Sequence, residues 1–84
     1  MGTRLHVGNI PATTAAQELR ATFSRFGHVE TVEIALNPVT GRGKGFAIVS
    51  MLHAADAESA IRSLNFSQYA GRTIGVSKAR DGQR

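Results

Sequence analysis

Lys44-Gly45-Phe46-Ala47-Ile48-Val49-Ser50-Met51 is the stretch on which the fold turns. It follows a glycine-rich loop, Thr40-Gly41-Arg42-Gly43, and its large residues are aromatic or β-branched, so it reads as a strand. Successive side chains of a strand point to opposite faces. Ala47 and Val49 therefore share one face, and Phe46 and Ile48 share the other.

Upstream of this strand, Val29, Val32, Ile34 and Leu36 recur in a β-branched run with Thr31 and Glu33 between them, giving strand 2, which Asn37-Pro38 stops. Ahead of it, Ala16, Leu19, Phe23 and Phe26 fall at helical spacing, predicting helix 1 over Ala15 to Phe26. Thr14 with Gln17 three residues later predicts a capping box, and Gly27 suits a left-handed residue just past the end. Arg4 to Asn9 alternates around Leu5 and Val7 and is strand 1. Downstream, Ala57, Ala60, Ile61 and Leu64 form the apolar stripe of helix 2, with Asp56, Glu58 and Arg62 toward water and Glu58–Arg62 spaced for an i,i+4 pair. Tyr69 braces the segment that follows. Gly71-Arg72 then turns into Thr73-Ile74-Gly75-Val76-Ser77, strand 4.

Strand, helix, strand, strand, helix, strand is a split βαβ order. Right-handed crossovers then place four strands in one antiparallel sheet with both helices on one side. The predicted fold is an α+β, ferredoxin-like βαββαβ sandwich whose second sheet face is bare. The helix side takes Leu5, Val7, Val32, Ile34, Ala47, Val49, Ile74 and Val76, while Phe23 and Phe26 pack from helix 1. The bare side takes His6, Glu33, Phe46, Ile48, Gly75 and Ser77. Strands 1 and 3 are central neighbours in this topology, so His6, Phe46 and Ile48 form one patch that no element covers.

Composition narrows what such a patch can meet. The chain has 84 residues, enough for one domain, with a core expected over about 3–79 and a short basic tail over 80–84. It is 42% hydrophobic and 19% charged, a balance that folds rather than stays disordered. It has no cysteine, so disulfides and thiolate metal sites are excluded. His6, His28 and His53 share no metal-ligand spacing, so neither metal nor cofactor is expected. No apolar run approaches the length of a membrane span. Ten Lys and Arg against six Asp and Glu leave a net charge of +4, which favours a polyanionic partner. The cations gather where they matter: Arg42 and Lys44 lie in and beside the glycine-rich loop, and Arg72, Lys78, Arg80 and Arg84 crowd the last quarter. An imidazole and a phenyl ring on a pleated surface, bordered by Arg42, Lys44, Lys78 and Arg80, suit unpaired bases, which stack on the rings while the cations hold phosphates.

Two segments bring in a resemblance. Leu5-His6-Val7-Gly8-Asn9-Ile10 resembles the hexamer, and Lys44 to Met51 the octamer, of RNA-recognition motifs. Leu19, Phe23, Phe26-Gly27, Asp56-Ala57, Ala60-Ile61, Gly71-Arg72 and Val76-Ser77-Lys78-Ala79 are similar to the family's supporting positions, so the likeness spans nearly the whole chain. The short ending resembles that of small stand-alone bacterial members, notably the cyanobacterial type. The resemblance implies a single-stranded RNA-binding module with Lys44 on phosphate and His6 and Phe46 at the base-stacking positions. Arg4, Asn9, Glu33, Arg42, Ile48, Ser77, Lys78, Ala79 and Arg80 complete the expected RNA-contacting set. At two stacking positions where the family usually has aromatics this chain has His6 and Ile48, so one full stacking ring remains where three are common; Met51 also replaces an aromatic, at a site that faces the core, where methionine fills space well.

No enzymatic chemistry is expected. Gly41-Arg42-Gly43-Lys44-Gly45 has Pro38 where a phosphate-binding loop needs Gly, has Gly45 where it needs Ser or Thr, and leads into a strand rather than a helix. An acylphosphatase-like reading needs an arginine in the loop after strand 1, and Gly8-Asn9-Ile10-Pro11 supplies none. The rival reading is a module that has exchanged RNA for a protein partner. Single-stranded DNA is a second nucleic-acid candidate, because stacking does not depend on the sugar. A monomer in the cytoplasm, or in the nucleus of a eukaryote, is the expected form and setting.

Overall fold

A computed structural model describes residues 2–79. The elements run β1 (Thr3–Gly8), α1 (Ala16–Ser24), β2 (Val29–Leu36), β3 (Gly43–Met51), α2 (Ala54–Leu64), β4 (Gln68–Tyr69), β5 (Arg72–Thr73) and β6 (Gly75–Lys78). Four strands form one antiparallel sheet in the order β2-β3-β1-β6, and β4 and β5 pair as a separate two-stranded hairpin. The α+β architecture is as the sequence predicts. Among the described residues no helix is long and apolar enough to cross a membrane.

The core fills the space between the sheet and the helices. Leu5, Val7, Ala47, Val49, Met51, Ile74 and Val76 meet Leu19 and Phe23 of α1 and Ala57, Ala60 and Leu64 of α2, all buried. Val32, Ile34, Phe26, Ile61 and Tyr69 pack around that cluster, half-buried. Every residue assigned to the helix side by alternation is there. Burial of Tyr69, and secondarily the charge of Glu18, raises its phenol pKa above the ordinary value of 10.0.

Local details depart from expectation. The N-cap of α1 is Ala15, not Thr14, and Glu18 rather than Gln17 reaches back, its Oε1 accepting from the Ala15 N–H at 2.8 Å. Thr14 Oγ1 is buried without a partner. Starting one residue later moves the acidic return to Glu18, and Ala15 has no oxygen to complete the reciprocal half. The helix closes earlier than Phe26, with the Phe26 N–H donating to the Phe23 carbonyl at 3.0 Å in a tighter turn. Gly27 does not adopt the left-handed helical conformation: its φ is 155°, and a side chain there would strike the Asp56 carboxylate. This extended positive-φ backbone and the close approach of Asp56, not helix capping, call for glycine at this position. Glu58 does not pair with Arg62. It faces Lys78 at 3.7 Å, while Arg62 donates to Ser59 Oγ at 3.3 Å.

The predicted fourth strand is split. Gln68-Tyr69 pairs with Arg72-Thr73 around Ala70-Gly71, whose φ values of 50° and 83° are those of a primed hairpin turn. Ile74 leaves the ladder to exchange backbone bonds with Phe66 and Ser67. β6 then joins β1, and its outer edge is partly blunted where Asn65 Oδ1 accepts from the Val76 N–H at 3.0 Å.

Candidate nucleic-acid interface

Register builds the open face row by row. β1 pairs with β3 so that His6 opposes Ile48 and Gly8 opposes Phe46; β2 sets Glu33 beside Ile48, and β6 sets Ser77 beside His6. One row across the sheet is thus Glu33, Ile48, His6, Ser77. The next places Phe46 beside Gly8 and Gly75, two residues with no side chain to raise an obstacle. On the other side of the central row, Thr31, Ser50 and Arg4 lie abreast, and the Ala79 N–H extends the ladder by donating to the Arg4 carbonyl at 2.9 Å.

The absence of a side chain at Gly8 shapes the aromatic centre. The His6 ring leans along β1 over Gly8, so close that a Cβ there would lie 3.3 Å from His6 Cε1. It thereby stacks on Phe46, with ring centroids 5.2 Å apart and planes 20° from parallel. Offset stacking of this kind is favourable for aromatic pairs. The two rings, both half-buried, act as one aromatic unit standing on the open face.

Ile48 departs from its expected exposure. It lies on the open face but is only 6% exposed, because His6 and Glu33 flank it on the neighbouring strands. It serves as the floor of a shallow hollow of about 200 Å³ that Arg4, Glu33, Ala35 and Phe46 also line. Lys78 departs too. It opposes Leu5, a core residue, so β6 turns it to the helix side, where it meets Glu58. Ser77 is exposed on the open face and Ala79 is half-buried at its margin. Arg80 lies outside the described residues.

The loop cations are held on ordered backbone. Asn37 Oδ1 accepts from the Val39 and Thr40 N–H groups at 2.8 and 3.1 Å, and the Asn37 N–H donates to the Arg42 carbonyl at 2.7 Å. Arg42 itself projects into solvent. β3 then carries a bulge: between Ala47, opposite Ile34, and Gly43, opposite Leu36, it holds extra residues, including Gly45 at a φ of 95°. Lys44, within that bulge, is exposed and lines a groove beyond the end of β1.

Asn9 and Arg72 share that groove. Asn9 has a φ of 62°, donates through Nδ2 to the Thr73 carbonyl at 2.8 Å, and accepts at Oδ1 from Arg72 Nη1 at 3.0 Å. Arg72 was absent from the residues expected at the site. The sequence shows Arg72 as a turn residue, a family-like supporting position and one of the cations of the last quarter, and nothing in it signals that Asn9, 63 positions earlier, fixes the guanidinium.

Comparison with known proteins settles the family. The family model described as RNA recognition motif matches residues 5–75. The chain belongs to that family. A Nostoc protein, RbpE, is 34% identical over 76 residues, covering 90% of this chain and 77% of its own length. The chloroplastic 33 kDa ribonucleoprotein of Nicotiana sylvestris is 43% identical over 75 residues, 89% of this chain but 23% of the plant protein. The chain thus spans about a quarter of the length of the chloroplast relatives it matches. Among solved structures, an Sxl-lethal protein/RNA complex superposes with a TM-score of 0.91 at 32% identity, over 98% of this chain and 49% of that one. The crystal structure of RNA-binding protein PG1 gives 0.89 at 28% identity, over 92% and 93%.

Proposed function

We propose that this RNA recognition motif binds single-stranded RNA across its open sheet face, with a base stacked on the His6–Phe46 unit and phosphates held by Arg4, Arg42 and Lys44. The observation that carries the reading is the stacked ring pair on a face no helix covers, next to glycines and bordered by cations. Membership of the family and likeness to a protein/RNA complex support the ligand class. Glu33 and Ser77 supply polar atoms at the two ends of the central row, suited to hydrogen bonds with base edges. Ile48 contributes as a floor rather than as an exposed contact, and strand alternation turns Lys78 off the face, toward Glu58. Binding is the whole of the proposed activity, with no catalytic step.

The test is the affinity of the full chain for a single-stranded RNA octamer. Phe46→Ala should weaken it by about 1 to 3 kcal/mol, the value of one stacked base, while the circular dichroism spectrum stays native. Unchanged affinity in the variant would remove the stacking role. The salt dependence separates RNA from a peptide ligand: log K for the octamer should fall against log salt with a slope of about 0.7 per phosphate neutralised. A flat salt profile with retained binding to peptides would favour the protein-partner reading.

A further inference from the structure

The groove beyond β1 sets two residues that the sheet-face reading does not use, Asn9 and Arg72, beside one that it does, Lys44. It encloses about 470 Å³, and Asn9, Ala12, Gly43, Lys44 and Arg72 line it. Its walls are held together by backbone: the Gly43 N–H donates to the Ala12 carbonyl at 3.2 Å, and a Cβ on Gly43 would lie 2.7 Å from that oxygen. The β1–α1 loop and the start of β3 are therefore in direct contact along its floor. Two exposed cations enter the groove, and among the described residues no carboxylate lines it. Among the described residues the single ion pair is Lys78–Glu58, far from this groove in the sheet.

Arg72 is held by a partner that carries no charge. Its partner is the neutral amide oxygen of Asn9, and Asn9 is itself fixed by its bond to the Thr73 carbonyl and by its left-handed backbone. A neutral partner orients the guanidinium without cancelling its charge. The remaining donors of the fork have no partner among the described residues, and a phosphate offers matching geometry. Lys44 supplies a second positive charge on the same groove, two residues before Phe46.

We infer that this groove is a phosphate-gripping subsite that carries an RNA strand off the end of the sheet, with Arg72 and Lys44 as its contacts and Asn9 as the residue that positions Arg72. The inference rests on the sheet-face reading and extends it. Gly8 opposes Phe46 and Asn9 follows Gly8, so a strand with a base on the ring pair has its next phosphates at the groove mouth. Occupying the subsite takes a ligand longer than the face alone accommodates.

The experiment compares uridine dinucleotide with uridine octanucleotide on the full chain, at several salt concentrations. Arg72→Gln should leave dinucleotide affinity unchanged, weaken the octamer severalfold, and lower its salt slope by about 0.7. Asn9→Asp is near-isosteric and tolerates the left-handed backbone, but it loses the donor to the Thr73 carbonyl and sets a carboxylate against Arg72. It should lower the octamer slope by a similar amount with the guanidinium still present, and change it little once Arg72→Gln is in place; an equal further drop in that double variant would mean that the new charge acts on the strand directly and that Asn9 does not position Arg72. If Arg72→Gln leaves octamer affinity and slope intact while Phe46→Ala still weakens binding, the groove is overturned and the sheet face stands. If Phe46→Ala also binds as the parent does, both are overturned.

Discussion

The two faces of β3 have the same backbone and opposite fates. Ala47, Val49 and Met51 point to the helices and are fully buried by α1 and α2, whereas Phe46, Ile48 and Ser50 alternate with them on the side no helix covers. On the open side, burial is supplied by neighbours in the same sheet. Ile48 is nearly sealed between His6 and Glu33, while Phe46, opposite Gly8, is stacked by the leaning imidazole and stays half-open. The contrast teaches that a sheet face need not be capped by another layer to bury an apolar group; a cross-strand row of three side chains suffices. A ring left half-open beside a glycine marks where a ligand can complete the layer. Substitutions behind the sheet should therefore change stability, and substitutions in front of it should change binding.

The sharpest break in that division would come from Phe23→Ala, which empties the centre of the closed side. It should cost about 3 to 5 kcal/mol of stability in chemical denaturation, with RNA affinity per folded molecule unchanged. A binding loss in protein that is still fully folded would erase the separation between the faces. In front of the sheet, Gly8→Ala should press the His6 ring out of its present stacking on Phe46 by a few tenths of an ångström, because the new Cβ would lie 3.3 Å from Cε1. RNA affinity should drop severalfold with little change in unfolding midpoint, and an intact affinity would show that the ring pair need not be preassembled.

The closed side also carries a pH signature. The Tyr69 phenol pKa is raised in the fold above its ordinary 10.0, by burial first and Glu18 second. A raised folded value means the contribution is fully present below pH 10 and is lost as pH climbs through the folded pKa. Unfolding free energy should thus decline above pH 10, and Tyr69→Phe should remove that part of the decline; an identical profile in the variant would assign it elsewhere. The smallest effect is expected at Phe66, which is 79% exposed with a φ of 67°. Phe66→Gly relieves about 1 to 2 kcal/mol of left-handed strain but adds freedom to the unfolded chain worth about 0.5 to 1 kcal/mol. A net gain under about 1 kcal/mol is expected, and a net loss would mean the ring packs on something.

Much of this was legible because two-residue periodicity is a local property. Leu5, Val7, Ala47, Val49 and Val76 could be assigned to the helix side from the sequence alone, and the open face followed from element order. Ile48 was misjudged because its cover comes from register across three strands, which no single segment encodes. Lys78 was drawn to the wrong side for a simpler reason: it follows Val76 by two, so alternation itself sends it with the core residues toward Glu58. The β4–β5 hairpin was missed because its strands have two residues each and its turn is Ala-Gly, without the asparagine that usually announces positive φ. The Asn9–Arg72 bond joins residues 63 positions apart and had no sequence signal.

The central claim is that RNA lies on the sheet face holding His6 and Phe46. The most direct measurement is an NMR titration of the full chain with a short single-stranded RNA, following backbone amides throughout. The amides of His6, Phe46, Ile48 and Ser77 should shift together and saturate at one affinity while those on the outer surfaces of α1 and α2 stay still. Shifts confined to the helices, or none on β1 and β3 at saturating RNA, would contradict it.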